Sequence, residues 1–258
     1  MDPLERITWL RSNALPGAEI LCGEHNTTPM SIFHERYEVV AGLKGLAGWH
    51  YRGRIGIVHA CSLGLMEPGE LHTTTCVYEP ADFFNLFISP ELFQQTAEEQ
   101  GIHGQVHFQF PKIFTDPMLL HAIRGLVNAI RVFETPLEQQ SWLALCLQGM
   151  QAYSERVPLV PSGRNDGSAI KVAKAHLQER YQDPVDLEQL SALTGLSRFS
   201  LVHSFSRQVG MPPHAFQTHV RIEKARALLE VGIPPAMVAA DVGFFDQSHL
   251  NRHFKRIM

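Results

Sequence analysis

Five histidines, His25, His34, His50, His59 and His72, fall within the first 72 residues, and imidazole is the commonest protein ligand of transition metals. A metal-binding strand of this kind would present His-x-His with a carboxylate a few residues on, and only Glu70-x-His72 comes close. We therefore expect no metal site, no cofactor and no metal-dependent catalysis here. Cys22, Cys61, Cys76 and Cys146 are scattered without a Cys-x-x-Cys pair, which predicts reduced, mostly buried thiols and neither a disulfide framework nor a zinc site.

The elements that must position these groups are short β-type runs between Ser31 and Ile88, such as SIFHERYEVVAGL, RIGIVHACSLGLM and DFFNLFI. Gly42, Gly45, Gly48, Gly53, Gly64, Pro68, Gly69 and Pro80 read as punctuation between them. The pattern predicts a small antiparallel barrel or sandwich over about 20–110, and a barrel of eight-strand size can enclose one small ligand. Its candidate effector-binding residues are His34, Trp49, Tyr51, His72 and Phe83, each of which also serves simply to pack a barrel.

A short helix over Pro90–Gln100 and one more strand over Val106–Phe110 are expected next. Two amphipathic helices then occupy about 116–155. The first follows Asp116-Pro117 with Leu119, Leu120, Ile123, Leu126, Val127, Ile130 and Phe133 inward, and the second aligns Trp142, Leu143, Cys146, Leu147, Met150 and Tyr153. Their apolar stripe makes a homodimer a candidate assembly. The stretch RVPLVPSGRNDGS reads as an interdomain linker over 156–168, separating a domain over 1–155 from a helical one over 169–258.

With 258 residues, 45% of them hydrophobic, the chain has material for two globular domains. Met1 to Leu10 carries acids where a secretory leader carries bases, and no run approaches the ~18 apolar residues of a membrane span. A cytoplasmic location without a membrane partner is expected. The net charge of -4 hides an asymmetry. Residues 1–167 hold 11 Lys and Arg against 18 Asp and Glu, whereas 168–258 hold 11 against 8, with six further histidines. The basic part is the candidate for contact with phosphate.

That part contains an internal repeat. LEQLSALTGLSRFSLVHSFSR, Leu187 to Arg207, is echoed by AMVAADVGFFDQSHLNRHFKR, Ala236 to Arg256. Ser191 and Gly195 match Ala239 and Gly243; past the turn Ser197 matches Asp246, Leu201 matches Leu250 and Phe205 matches Phe254, so the second turn is one residue longer. A small residue lets two helices cross closely, a Gly permits φ > 0 at the turn, and Ser or Asp caps the next helix. The repeats flank a predicted helix over about Pro213–Glu230 with Phe216, Val220, Ile222, Ala225, Leu228 and Leu229 inward. Eighteen residues at ~1.5 Å each span ~27 Å, against ~34 Å between successive major-groove faces. Two helix-turn-helix units on such a strut are suited to one face of a DNA duplex.

The stretches GLSRFSLVHSFSRQVGMPPHAFQTHVRIEKARALL and AADVGFFDQSHLNRHFKR resemble the DNA-binding domain of the AraC family of bacterial transcription regulators. The segments FHERYEVVAGLKGLAGWHYRGR and LMEPGELH are similar to the cupin-like effector-binding domain that many members carry first. The fold class implied is α+β, a cupin-like β-barrel with a helical hairpin followed by an all-α double helix-turn-helix. The resemblance further implies that the helices after Ser197 and Asp246 enter the major groove. Arg198, Phe199, Val202 and His203 would then face bases from the first, and Ser248, His249 and Arg252 from the second, with Gln247 near the backbone; the alternative is that Arg198 and Arg207 only contact phosphates and that His203 and His249 are solvated. Arg252 can read guanine with two hydrogen bonds, and Phe199 can pack on a thymine methyl. Family members continue past FKR with a Gly-x-x-Pro segment and a closing helix, whereas this sequence stops at Met258, so a C-terminal domain cut short is expected.

The function these features imply is a ligand-responsive DNA-binding regulator, of activator type by resemblance. Its expected partners are double-stranded promoter DNA, a small-molecule effector of unassigned class and RNA polymerase. Two alternatives are a ligand-independent DNA-binding protein whose barrel only dimerises, and a metal-cupin enzyme with a DNA-binding tail.

Overall fold

The computed structural model describes residues 5–100, 102, 106–108, 113–154, 167–209 and 211–257. The expected linker over 156–168 lies outside them apart from its last two residues, as does the end of the expected strand over 106–110. The chain divides into two compact units, Met1–Glu134 with Trp142–Val160, and Thr135–Ser141 with Pro161–Met258.

The first unit is built on an eight-stranded antiparallel sheet: β1 (Arg6–Leu10), β2 (Ala18–Asn26), β3 (Ser31–Ile32), β4 (Tyr37–Tyr51), β5 (Arg54–His59), β6 (Leu63–Met66), β7 (His72–Ile88) and β8 (Ile113–Phe114). The order is β1-β2-β7-β4-β6-β8, with β3 paired to β7 and β5 to β4. Two strands, β4 and β7, carry most of the pairing and run 15 and 17 residues. Gly42, Gly45, Gly48 and Pro80 therefore do not end strands as their types suggest. The register between β4 and β7 shifts at Gly42/Lys44, Lys44/Leu46, Leu46/Ala47 and Gly48/Trp49, so these glycines mark bulges that let one long strand bend.

Helix α1 (Pro90–Glu98) starts at Ser89, whose hydroxyl accepts from the Leu92 amide at 3.3 Å. Tyr37 stacks on Phe93 at 4.2 Å, and its hydroxyl donates to the Val106 carbonyl at 2.8 Å, tying helix, strand and the 106–108 segment together. Helix α2 (Pro117–Arg131) is capped by Asp116, which accepts from Met118 and Leu119. Its expected stripe is buried from Leu119 to Ile130, but Phe133 is 86% exposed. The helix ends at Arg131 and Phe133 takes φ 54°, which turns its ring out of the stripe. Helix α3 (Pro136–Gln151) lays Trp142 over Gly125, where any Cβ would sit 2.5 Å from the indole.

The second unit is helical: α4 (Gly167–Glu179), α5 (Leu187–Thr194), α6 (Arg198–Val209), α7 (Pro213–Glu230), α8 (Pro235–Asp241) and α9 (Gln247–Ile257). The bounds of α7 coincide with those expected from its apolar spacing. Ile222 and Ala225 of α7 pack with Val238, Ala239, Val242, Phe244 and Leu250 in one core. Beside this stripe α7 buries a polar one, His214, Gln217, Thr218 and Arg221. Arg221 donates Nε to the Tyr181 carbonyl at 2.5 Å and Nη2 to the Asp183 carbonyl at 3.1 Å, and Gln217 Nε2 reaches the same Asp183 oxygen at 3.1 Å. These carbonyls belong to the turn after α4, where helical partners have run out. The Arg221 guanidinium also lies 5.9 Å from the centre of the Phe244 ring.

Both repeat glycines adopt the left-handed conformation, Gly195 at φ 69° and Gly243 at φ 85°, as their turns require. Their surroundings differ. A Cβ on Gly195 meets nothing within 4 Å, while one on Gly243 would lie 2.3 Å from the Gln182 carbonyl oxygen. Gly195→Ala is expected to cost about 1 kcal/mol, the price of φ > 0, and Gly243→Ala about 1 to 3 kcal/mol more through steric overlap, read as urea midpoints of the helical signal. By the same measurement Arg221→Met should destabilise by about 2 kcal/mol, because buried carbonyls lose a charged donor.

Candidate nucleic-acid interface and interior cavity

The two helices that follow the repeat turns are set by their caps. Ser197 Oγ accepts from the Ser200 amide at 3.2 Å, and Asp246 Oδ1 accepts from the His249 amide at 2.7 Å. Ser191, the small residue of the first copy, donates its hydroxyl to the Leu196 carbonyl, while Ala239 of the second is fully buried. The longer second turn inserts Phe244 and Phe245 where the first has Leu196 alone; Phe244 enters the core and Phe245 is 91% exposed.

On α9 the outward face carries Gln247, Ser248, Asn251, Arg252, Lys255 and Arg256, all exposed. Asn251 and Lys255 were not singled out from sequence, although they follow Ser248 at i+3 and i+7 and so share its face. His249 points the other way. It is 7% exposed, packs edge-on against Phe244, and places Nε2 3.1 Å from His253 Nε2, while His253 Nδ1 lies 2.8 Å from Arg256 Nη2. Arginine can only donate, so His253 accepts at Nδ1 and donates from Nε2, which leaves His249 Nε2 as an acceptor within the fold.

On α6 the outward residues are His203, Arg207 and Gln208, with Arg198 half-buried. Phe199 and Val202 are 6% and 1% exposed, so neither side chain faces outward. The inner arc of α6 is wider than Leu201-x-x-x-Phe205, because α4, α5 and α7 all pack against it. Phe199, Val202 and His249 thus hold the helices in place; of the expected residues His203, Arg207, Gln247, Ser248 and Arg252 are outward and Arg198 is half-buried.

In the first unit, Trp49, His72 and Phe83 line a partly open cavity of about 60 Å³ together with Glu38, Val40 and Asn85. Tyr51 is buried but does not line it: its hydroxyl donates to Glu70 and accepts from the Glu67 amide at 3.1 Å. His34 stands one layer out, with Nε2 2.8 Å from Glu38 Oε2. His72 Nε2 lies 3.0 Å from the same oxygen, off the line of a good hydrogen bond.

Glu38 is the residue that sequence reading missed. Burial alone would raise its pKa, but the pull of His34 and His72 outweighs this and holds the carboxyl below its ordinary value. His34, Glu38 and His72 bring three potential ligand atoms within 4.8 Å of one another, the residues best placed to hold a metal ion in this unit. They come from a loop and two strands, so no His-x-His spacing announces them. Neither imidazole has a partner on Nδ1, whereas metal-bound imidazoles are oriented by such a bond.

Together these features define a helix-turn-helix DNA-binding regulator joined to a ligand-binding sheet domain. Residues 21–146 match the AraC-like ligand binding domain and residues 190–258 match a helix-turn-helix domain. The chain belongs to the AraC family of transcription regulators, with the α+β, cupin-like-plus-helical architecture of that family. It is 27% identical over 219 residues, 84% of this chain and 80% of the other, to the uncharacterized HTH-type transcriptional regulator YbfI of Bacillus subtilis. It is 34% identical over 79 residues, 30% of this chain and 26% of the other, to the HTH-type transcriptional regulator MtrA of Neisseria gonorrhoeae. To the HTH-type transcriptional activator RhaS of an Enterobacter species it is 25% identical over 186 residues, 71% of this chain and 64% of the other. Among the described residues no helix is long and apolar enough to cross a membrane.

The lowered Glu38 carboxyl fixes the sign of one pH effect. Its stabilising contribution is present above the ordinary glutamate pKa of ~4.3 and is lost as pH falls through the lower folded value. Glu38→Gln should therefore flatten the acid side of the sheet unit's melting-temperature profile; an unchanged acid limb would show that Glu38 is not ionised there.

Proposed function

We propose that the chain is a ligand-responsive, sequence-specific DNA-binding regulator of activator type, in which α6 and α9 read successive major grooves. The observation that carries this reading is the outward face of α9, where Ser248, Asn251 and Arg252 can reach base edges while Lys255 and Arg256 neutralise phosphate. Arg198, His203 and Arg207 play the corresponding parts from α6. The cap residues Ser197 and Asp246 aim each helix N-terminus, and Gln247 sits beside the backbone.

Domain limits of 1–155 and 169–258, with 156–168 as linker, accord with this division of labour. Promoter DNA is the macromolecular partner, and RNA polymerase and a second copy of the chain follow from the activator reading. The sheet cavity receives the effector, whose binding alters operator occupancy. Its unpartnered buried polar atoms favour this over a sheet that only dimerises.

The test is a salt-dependent shift assay on promoter fragments bordering the gene. Arg252→Ala should cost about 1 to 3 kcal/mol and relax preference at one base pair. Val202→Ala should instead lower stability and leave base preference intact. Unchanged specificity in Arg252→Ala would remove Arg252 from the reading face.

A further inference from the structure

The sheet cavity holds polar atoms that no group among the described residues satisfies. Glu38 is fully buried and its Oε1 has no hydrogen-bond partner. The same is true of Asn26 Oδ1 and Asn85 Oδ1, on side chains whose residues are 2% and 3% exposed. All three residues line the cavity. Strand register brings two of them together: Glu38 pairs with Phe87 and Val40 with Asn85, so Glu38 and Asn85 are diagonal neighbours on one face of β4 and β7.

The balance of these atoms is one-sided. Asn26 Nδ2 donates to the Thr28 carbonyl at 3.0 Å, while its oxygen is buried and unpartnered. Three acceptors, one of them on a buried carboxyl, face a single unambiguous unpartnered donor, Trp49 Nε1. The His72 ring nitrogens complete the set and serve as donor or acceptor according to tautomer. Lys44 is the one Lys or Arg among the lining residues and it is exposed, while Asp82 adds a second carboxylate. An anionic ligand would meet repulsion here, and a neutral polyol brings an acceptor with every donor it offers. Thr74 adds a hydroxyl, and the other walls, among them Val40, Val58, Met66 and Phe83, are apolar. A volume of about 60 Å³ holds a handful of water-sized groups, which suits a small ligand.

We propose that this cavity takes a short-chain primary amine, bound as its ammonium ion with N–H groups donated to Glu38 Oε1 and Asn85 Oδ1 and its alkyl part against Val40, Met66 and Phe83. The proposal rests on the reading of the cavity as the effector site. A divalent metal on His34, Glu38 and His72 is the competing cation.

The experiment titrates the full chain with propylamine, ethanolamine, 1,2-propanediol, propionate and zinc chloride, followed by calorimetric heat and melting temperature. Propylamine or ethanolamine should bind saturably and raise the melting temperature, while the diol, propionate and zinc do not. Glu38→Gln should weaken amine binding about tenfold or more, the loss of one charge-assisted hydrogen bond. Asn85→Leu should weaken it in the same direction, and it carries the test alone if circular dichroism shows Glu38→Gln unfolded. Equal binding of propanediol, or zinc binding abolished by His34→Ala, would overturn the amine class and leave an effector site standing. If none of the five compounds binds, the amine proposal falls, and a wider metabolite screen without a melting shift would bring the effector reading down with it.

Discussion

Arg221 is the point at which the helical unit is held together. Its guanidinium takes the carbonyls of Tyr181 and Asp183 in the turn after α4 and lies against Phe244 of the second helix-turn-helix. A buried guanidinium is tolerated only when its donors are used, and a turn leaving a helix supplies acceptors that would otherwise be orphaned. The two needs cancel at one place. Gly243 approaches the same turn so closely that no side chain fits between it and the Gln182 carbonyl. Through these contacts the turn after α4 is tied to the strut α7 by hydrogen bonds and to the turn before α9 by close packing.

The local parts of this arrangement were legible in the amino-acid sequence. Small residue, glycine, cap, Leu and Phe recur in register because each answers a steric need within a few residues of itself, and the caps at Ser197 and Asp246 and both left-handed glycines have the expected geometry. What escaped was set by neighbours distant in sequence. Arg221 looks like any helix-surface charge until α4 is placed beside it. Phe199 and Val202 have types and positions suited to an outward role, but the width of a buried arc depends on how many helices pack on it. The glycines of β4 read as strand ends because a bulge and a turn ask for the same residue, and only the partner strand tells them apart.

The sheet domain presents the opposite difficulty. His34 and His72 stand out in the sequence as histidines, but Glu38 does not; the β4–β7 ladder sets Glu38 opposite Phe87 and His72 opposite Tyr51, so it is the bending of these long strands, and not their register, that brings the three together. The buried carboxyl of Glu38 is stabilised by groups on one oxygen only. A fold that maximised stability alone would fill this space with apolar side chains. On the proposed reading of the pocket as an effector site, keeping polar atoms there trades stability for recognition, as binding sites do.

The two outward faces are unlike: α6 shows His203, Arg207 and Gln208, and α9 shows Gln247, Ser248, Asn251 and Arg252. They stand in tandem along one chain, with no two-fold axis to exchange them. Symmetric dimers read palindromes and cannot tell upstream from downstream. On the proposed reading, a duplex gripped by this tandem pair would acquire polarity from a single polypeptide, and the protein would face a promoter in one sense and turn its back on it in the other.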